Sequence, residues 1–241
     1  MGAVPGGSLL SVPGAREISG AFDVEPFRSA GRRVVLRDVD EVVLVIGSAQ
    51  PSSVVDADRA SRCGASVVRR RSGGAAVLLL PGAQVWADLW VPRDDPLWSV
   101  EPRASAAVAG EWWARALGAA FRREAGDLSV HRGASIPAPG SDMVCFAGVG
   151  PGEVVREGRK VVGLAQWRSR EGVLVHGCAY RRWDPEPLVD LLDLPSTTRH
   201  ALVGTLRAAA LGLGDMGVAS WGHDQLVAAL PEPASWEVVQ A

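Results

Sequence analysis

Short apolar runs rich in β-branched residues, separated by glycine, proline or charged residues, constrain the fold of this chain more than any other feature. Runs of this length and composition are typical of β-strands. They occur at residues 33–37, 42–47, 66–70, 76–80, 85–91, 143–147 and 173–180, and around Val154 and Val161. Because helical segments are dispersed among them, the sequence predicts an α+β fold, a mixed β-sheet with helices packed on it.

Apolar residues that recur every three or four positions predict the helices. The longest predicted helix covers residues 105–123, where one apolar stripe runs along the segment and arginines lie off it. A short helix is predicted at residues 54–62. Three more are predicted toward the C-terminus: one capped by Asp184, one capped by Ser196 that stops at residue 212 or 214, and one near Asp224.

Composition divides the chain into two parts. Residues 1–30 are rich in Gly, Pro, Ser and Ala with weak periodicity, which predicts a loosely ordered N-terminal arm. Residues 31–241 are predicted to form a single domain with C-terminal helices. A chain of 241 residues with 47% hydrophobic content is large enough to bury the core of one such domain.

Charge and cysteine content narrow the expected partners and compartment. The formal net charge of −2 gives no strong positive field, so neither nucleic acid nor a membrane surface is an expected partner. No apolar run reaches the ~18 residues of a membrane span, and no signal peptide is visible. Three cysteines without paired spacing indicate free thiols in a reducing compartment, so a cytoplasmic location is expected.

Lysine occurs once in the chain, at Lys160, and all the other residues in the Lys+Arg total of 25 are arginines. Arginine stays protonated at any working pH, whereas lysine is a compact ammonium that can also act as a base or nucleophile. A chain that keeps one lysine among arginines is expected to use its ammonium. The strands predicted on both sides of Lys160 would direct it into a pocket.

The segment RRRSGG, residues 69–74, is a second candidate for function. Glycines allow a backbone to approach a ligand closely and to present successive N–H groups to an anion. Neighbouring arginines would add planar, charge-assisted hydrogen bonds to a carboxylate or phosphate. The alternative is a tight turn between strands with solvated arginines, and the sequence leaves both open.

Other motifs give weaker signals, and a Ser/His/Asp triad stays open at this point. GVGPGE, residues 148–153, has the glycines of a dinucleotide loop, but Pro151 and a following strand leave no helix to open after it, so a β-turn is predicted. The sequence has no CxxC, HExxH or HxH pair, and no metal site is predicted. No GxSxG elbow is present either.

Cys145 lies in the apolar run MVCFA. A buried free cysteine usually packs as a small hydrophobic side chain. It becomes a nucleophile if Lys160 or an arginine lies close enough to favour the thiolate. A turn between the two predicted strands would allow Cys145 and Lys160 to reach one pocket.

Two segments together resemble a known family. RRRSGGAAV resembles the arginine-arginine-x-serine-glycine-glycine-glycine-alanine-valine motif of the lipoate–protein ligases, and GRKVVGLAQWRSREGVLVHG resembles their lysine segment. SDM, residues 141–143, is similar to their asparagine-aspartate-hydrophobic step. The resemblance covers residues 30–195 and implies the biotin/lipoyl protein ligase catalytic-domain fold, with residues 31–241 as the catalytic domain.

The resemblance also implies roles for individual residues. Members of this superfamily hold a lipoyl or octanoyl chain in an apolar tunnel and pass it to a lysine of a lipoyl-carrier domain. Lys160 would contact the acyl carbonyl and stabilise its developing negative charge. The positions that match the family's substrate-binding motifs are Arg69, Arg70, Ser72, Gly73, Gly74, Asp142, Gly163, His176 and Gly177.

The resemblance leaves two enzymatic mechanisms open. In one branch, octanoyltransferases carry the acyl group as a cysteine thioester, and Cys145 with Phe146, Glu153 and residues 158–160 match that branch at the same separations. Cys145 would then be the nucleophile, with no cofactor and an acyl-carrier protein as a candidate donor. In the other branch, ATP-dependent ligases first make an acyl-adenylate, which implies ATP and Mg²⁺.

In either branch the acceptor would be a lipoyl-carrier domain, of an E2 subunit or a glycine-cleavage H-type protein. Two non-enzymatic classes are also open. Ala75 replaces the third glycine of the ligase motif, which motivates a non-catalytic acyl-binding paralogue. The arginine cluster could alternatively face an acidic protein surface in a structural partner subunit, although the single lysine argues against this class.

Overall fold

The structure is a computed structural model that describes residues 29–120 and 128–241. The predicted N-terminal arm, residues 1–30, lies almost entirely outside the described residues. The elements in chain order are β1 (Arg32–Arg37), β2 (Val43–Ile46), α1 (Ala57–Arg62), β3 (Ser66–Arg69), β4 (Val77–Leu79), β5 (Gln84–Pro92), α2 (Pro102–Ala120), β6 (Leu128–Val130), β7 (Val154–Arg156), β8 (Arg159–Arg168), β9 (Gly172–Tyr180), α3 (Glu186–Asp190), α4 (Ser196–Ala209), α5 (His223–Ala228) and β10 (Trp236–Gln240).

Two mixed sheets form the scaffold. The large sheet has seven strands in the order β10-β1-β5-β9-β8-β7-β6, and only its β1–β10 pair is parallel. The small sheet has the order β3-β2-β4, with β2 and β3 parallel. Mixed sheets with helices confirm the predicted α+β class.

Two apolar cores hold the sheets and helices together. The larger core lies between the large sheet and helices α2 and α5, and it contains the fully buried Trp112, Trp113 and Leu117 of α2. The second core joins the small sheet to α3 and α4, with Phe146 and Trp183 stacked at 5.1 Å between ring centroids. The region between the two cores is where the sequence-predicted site residues meet.

The predicted strand at residues 143–147 is wrong. The segment forms consecutive turns, in which Met143 and Val144 donate their amides to the carbonyl of Gly140. Gly140 has a φ of +86°, which starts the turn, and the segment pairs with Ala76 only through an isolated bridge at Val144 instead of a continuous ladder. The apolar side chains are buried by packing: Val144 and Phe146 are almost fully enclosed.

The C-terminal predictions are partly corrected. Helix α4 ends at Ala209, before residues 212–214, because Ala210 is extended and bridges Lys160 of β8, with the Leu211 amide 2.8 Å from the Lys160 carbonyl. Ser196 begins α4 but makes no capping hydrogen bond with its side chain. The structure adds β10, which the sequence did not predict.

Outside these regions the predicted helices agree closely with the structure. Helix α1 is shorter than predicted, since Asp56 caps it by accepting a hydrogen bond from the Arg59 amide at 3.0 Å. The part of the predicted long helix beyond residue 120 lies outside the described residues. Among those that are described, no helix is both long and apolar enough to cross a bilayer.

Candidate active site

Lys160 lies at the start of β8 and is buried, with 2% of its side chain exposed. Its Nζ is 2.7 Å from Oε2 of Glu153 and donates to the backbone carbonyl of Cys145 at 2.5 Å. The same nitrogen lies 5.4 Å from the centre of the Phe146 ring. A buried ammonium is tolerated only when it is paired and hydrogen-bonded. These contacts fix the single lysine of the chain at the meeting point of the two cores.

Glu153 ends the turn formed by residues 148–153, which confirms the predicted β-turn, since the Glu153 amide donates to the Gly150 carbonyl at 3.2 Å. Its carboxylate also accepts hydrogen bonds from the amides of Gly150, at 2.5 Å, and Leu164, at 3.1 Å. Burial raises the pKa of Glu153, and the charge of Lys160 and both amides act against that rise. The carboxylate therefore joins the turn to the lysine strand.

Cys145 is half-buried in the turn that follows Gly140, and its amide donates to the carbonyl of Ala76 at 2.9 Å. Its Sγ lies 3.8 Å from where a Cβ on Gly74 would be. The structure thus brings Cys145, Lys160 and the glycine turn together, as the sequence predicts for a joint pocket.

Two cavities meet at Cys145. The first, here called the wide cavity, has a volume of about 430 Å³, and its walls include Gly73, Gly74, Cys145, Glu153, Lys160 and Pro137. The second, the narrow cavity, has a volume of about 50 Å³ and an almost entirely apolar lining. Cys145, Leu164 and Ala165 line both cavities. Cys145 therefore lies where a wide, partly polar cavity and a small apolar one share a wall.

Both leading arginines of the RRRSGG segment are turned onto the protein backbone. Arg69 donates to the carbonyls of Gly47, at 2.9 Å, and Gln50, at 2.5 Å, and to the hydroxyl of Ser52 at 3.0 Å. These contacts tie the end of β3 to the segment after β2. The arginine is therefore neither solvated, as one alternative supposes, nor directed at the wide cavity.

Arg70 holds the glycine turn itself. Its guanidinium donates to the carbonyls of Gly73, at 2.8 Å, and Ala75, at 2.9 Å, and burial lowers its pKa. Gly74 has a φ of +95°, and a Cβ there would lie 2.7 Å from an Arg70 nitrogen, so the turn requires glycine. Ser72 is buried, and its hydroxyl has no hydrogen-bond partner among the described residues.

The narrow cavity ends at a buried polar cluster. Trp86 and His176 line the cavity, and both donate to Oδ1 of Asp88, at 2.8 and 2.7 Å, while Arg37 donates to Oδ2 at 2.5 Å. Burial opposes the charge of Asp88, but His176 and Arg37 together hold its pKa below the ordinary value. The apolar cavity is thus lined by a histidine whose orientation is fixed by a charged carboxylate.

The remaining sequence-predicted residues lie in different surroundings. Gly163 lines the narrow cavity, where the Phe146 ring lies against it. Gly177 packs instead against Trp113 of the larger core, and a Cβ on this glycine would lie only 2.3 Å from the indole nitrogen. Asp142 is exposed, and its backbone carbonyl accepts a hydrogen bond from the Gln50 side chain at 2.9 Å.

Sequence reasoning missed two acidic residues of this region. Glu153 entered only as a matching position of the octanoyltransferase pattern, and Asp88 did not enter at all. Asp88 is the single charge inside the apolar run VWADLWV, and a charge in a run that reads as a buried strand is a signal of a paired, buried carboxylate. Glu153 has no comparable signal, since it ends a glycine-rich turn. Among residues 29–120 and 128–241, no three His, Cys, Asp or Glu side chains group as metal ligands.

The sequence matches the family model of the lipoyl protein ligase A/B catalytic domain over residues 28–232. The chain belongs to this family. The match confirms the resemblance carried by the arginine–glycine and lysine segments, and it spans every element of the large sheet except β10, whose residues follow its end.

A curated relative is octanoyltransferase LipM of Kyrpidia tusciae, strain DSM 2912 / NBRC 15312 / T2. The two chains are 33% identical over 183 residues, which is 74% of this chain and 65% of the relative. This chain therefore aligns with less than two thirds of the relative's length.

Solved structures share the fold at low sequence identity. The bipartite lipoate protein ligase of Thermoplasma acidophilum, solved in a study with its E2 lipoyl domain, has a TM-score of 0.61 at 16% identity, covering 87% of this chain and 74% of that one. Lipoate-protein ligase A bound with ATP has a TM-score of 0.58 at 17% identity, covering 87% and 75%. These likenesses establish the biotin/lipoyl protein ligase catalytic-domain fold.

Proposed function

We propose that this chain is an acyltransferase that carries a lipoyl or octanoyl group as a thioester on Cys145 and delivers it to a lysine of a lipoyl-carrier domain. The observation that carries this proposal is the position of Cys145 at the junction of the wide and narrow cavities, with the Lys160 ammonium 2.5 Å from its carbonyl. Similarity to an octanoyltransferase supports it.

The two cavities suit the two parts of such a reaction. The narrow cavity, whose lining includes Val45, Val77 and Leu79, would hold only part of the acyl tail, because its volume of about 50 Å³ is smaller than an eight-carbon chain. Each methylene buried there contributes about 0.8 kcal/mol. The wide cavity would admit the arm of the acyl donor first and the carrier lysine afterwards. Glycines 73 and 74 form one wall, where only backbone approaches the acyl carbonyl.

The chemistry follows from the charge at the junction. Cys145 attacks the acyl carbonyl of the donor thioester through its sulfur; the C–S bond to the donor breaks, the donor thiol leaves with the proton of Cys145, and the Cys145 thioester forms. The Lys160 ammonium stabilises negative charge on the carbonyl oxygen in the tetrahedral intermediate. An acyl-carrier protein is the proposed donor. In the second half-reaction the carrier lysine attacks the thioester, an amide forms, and the Cys145 thiolate leaves.

The described residues do not fit ATP, the cofactor of the ligase branch. Arg69 and Arg70 donate hydrogen bonds to backbone carbonyls, and Lys160 is paired with Glu153. Of the residues lining the wide cavity, Arg103 alone brings a further positive charge. A triphosphate needs several cationic or N–H partners, so no adenylation step is assigned to this site.

The test is to incubate the protein with octanoyl-acyl-carrier protein in the absence of ATP and to measure covalent mass and hydroxylamine lability. A labile acyl adduct is expected, and Cys145→Ser should abolish it. Cys63→Ser is the matched control, since Cys63 is an exposed thiol on neither cavity wall. An adduct that persists in Cys145→Ser overturns the thioester.

Two further results would assign another function. Carrier modification only with free lipoate, ATP and Mg²⁺ would assign the ligase mechanism. Binding of an acyl ligand without modification of several lipoyl-carrier domains would indicate a non-catalytic paralogue.

A further inference from the structure

The second half-reaction raises a proton problem that the Cys145–Lys160 pair alone does not solve. A carrier lysine in water is an ammonium, with a pKa of about 10.4, and it has no lone pair until it loses a proton. Lys160 pairs with Glu153, and as an ammonium it can accept that proton only after it gives one away. The wall of the wide cavity offers one carboxylate, Glu153, to receive it.

The contacts of Glu153 support this role. Its Oε2 is 2.7 Å from the Lys160 nitrogen, which is a direct proton path, and the same ammonium reaches the backbone of Cys145. The Gly150 and Leu164 amides hold the carboxylate in place without charge of their own. The pair is almost fully buried, where the ionic and neutral forms differ less in free energy than they do in water.

We propose that Glu153 receives, through Lys160, the proton that the carrier lysine must lose before it attacks the acyl-thioester; this inference rests on the proposed function. Because Glu153 acts through Lys160, it is a positioning residue for that lysine and the end point of a proton relay.

The relay balances in protons and electrons. Lys160 passes one proton to the Glu153 carboxylate and, as a neutral amine, takes one from the carrier ammonium. The freed carrier amine forms the C–N bond, the C–S bond breaks, and its electron pair leaves on the sulfur of Cys145. The second proton of the attacking nitrogen neutralises that thiolate, and the Glu153 proton passes to water after the product leaves.

Among the residues that the structure describes, other titratable groups near Glu153 are few. Lys160 and Cys145 line the same cavity, as does Arg103 of α2. His131 follows β6, and its backbone pairs with Glu153, but its ring nitrogen contacts the Ala134 carbonyl at 2.7 Å. Among these groups, Glu153 is the carboxylate that can take up a proton from Lys160.

The experiment separates the two half-reactions. The acyl-enzyme is loaded and isolated, and single-turnover transfer to a lipoyl-carrier domain is followed from about pH 6 to about pH 9.5, below the pKa of the carrier amine. General acid–base residues contribute about 100- to 10,000-fold, so Glu153→Gln should slow transfer at least about 100-fold at the lowest pH. The variant's rate should then rise about tenfold per pH unit, because the carrier amine must be deprotonated by solvent. Wild-type transfer should depend only weakly on pH in this range.

Three controls keep the result specific. Hydroxylamine, which is largely neutral at neutral pH, should cleave the wild-type and Glu153→Gln thioesters at similar rates. Glu153→Asp should keep transfer at low pH, since it retains a carboxylate. Asp95→Asn is the matched control variant. Asp95 also pairs with a cation, Arg32, and accepts a hydrogen bond from a backbone amide, but it lies outside the wide cavity. The pH profile of transfer by Asp95→Asn should therefore equal that of the wild type.

The outcomes are distinct. A Glu153→Gln profile parallel to that of wild type, lowered equally at every pH, means a structural role only and overturns the relay. If Glu153→Gln does not fold, loss of low-pH transfer in Glu153→Asp overturns it instead. Failure of the wild type to form any thioester contradicts the proposed function, whereas normal loading with parallel profiles contradicts this inference alone.

Discussion

Two buried carboxylates are stabilised in different ways: Glu153 lines the wide cavity, and Asp88 lies behind His176 and Trp86 of the narrow cavity. Asp88 receives three side-chain donors, two of them from His176 and Arg37, and its pKa is lowered despite burial. Glu153 has one ammonium partner and two backbone amides, and burial raises its pKa. The first arrangement surrounds the carboxylate with side-chain donors, whereas the second pairs it with a single cation and the backbone. The pKa values of two buried carboxylates therefore shift in opposite directions because their hydrogen-bond and ion-pair partners differ.

The largest effect is expected at Lys160. Lys160→Ala removes the cation at the junction and should lower thioester formation about 100- to 1,000-fold. It also leaves Glu153 without its ion-pair partner, at a cost of about 3–5 kcal/mol in the free energy of unfolding. Acyl loading and urea unfolding measure the two effects. Loading at the wild-type rate in a folded Lys160→Ala protein would remove Lys160 from the chemistry.

Replacing Asp88 should have the opposite pattern of effects, a large loss of stability with little loss of thioester formation. Asp88→Asn leaves Arg37 without its buried anion and should lower the free energy of unfolding by about 3–5 kcal/mol. The folded fraction should still form the Cys145 thioester at a rate close to wild type, because Asp88 lies behind the cavity wall. An Asp88→Asn protein that is as stable as wild type but does not form the thioester would show that Asp88 takes part in the chemistry.

Adding a methyl group at a buried glycine of β9 should affect stability differently from adding one at an exposed glycine of α2. His176 lines the narrow cavity, whereas Gly177 packs on Trp113, so Gly177→Ala should destabilise the fold by about 1–3 kcal/mol through overpacking. Gly118→Ala is the control, since that glycine lies exposed in α2 with no atom near its Cβ position. It should stabilise the protein by about 0.5–1 kcal/mol. Equal melting shifts for both variants would contradict the packing assigned to Gly177.

The smallest effects are in the pH dependence of stability. The contribution of Asp88 is present above its ordinary pKa of about 3.9 and is lost as pH falls through its lower folded value. That of Glu153 is complete below about pH 4.3 and is lost as pH rises through its raised folded value. The difference in free energy of unfolding between wild type and Glu153→Gln should therefore shrink with rising pH. Each tenfold difference in proton affinity between the folded and unfolded states corresponds to about 1.4 kcal/mol.

The difference between wild type and Asp88→Asn should shrink in the opposite direction, as pH falls below about 4. Urea unfolding of the three proteins at a series of pH values measures both trends. Slopes of the same sign would mean that the two carboxylates are not distinguished by their partners.

Local sequence patterns were sufficient to predict most of the fold. Strands β1, β5 and β9 are continuous apolar runs, because consecutive residues on both faces are buried, whereas α2 has a helical apolar stripe, because one side of it is buried. The run around Cys145 was misread as a strand because buried turns and strands have the same apolar composition. Strand β10 was missed because its pairing partner, β1, lies at the other end of the chain.

The candidate site was predictable where a single residue type has a distinct chemistry. Lys160 is conspicuous as the only lysine, and Cys145 follows from its spacing to Lys160 within the family resemblance. The inward direction of Arg69 and Arg70 was not predictable, because the carbonyls that bind Arg69 come from the segment after β2. Asp142 and Gly177 match the family motifs, yet their contacts are set by Gln50 and Trp113.

The most direct measurement is a chase of the isolated acyl-enzyme. The protein is loaded from octanoyl-acyl-carrier protein, freed of donor, and mixed with an apo lipoyl-carrier domain, while peptide mass spectrometry follows the acyl group on both chains. The thioester mechanism predicts that the group leaves the peptide containing Cys145 at the rate at which the carrier lysine gains it. An acyl group that stays on Cys145 while the carrier is modified, or that is found on another residue, would contradict it.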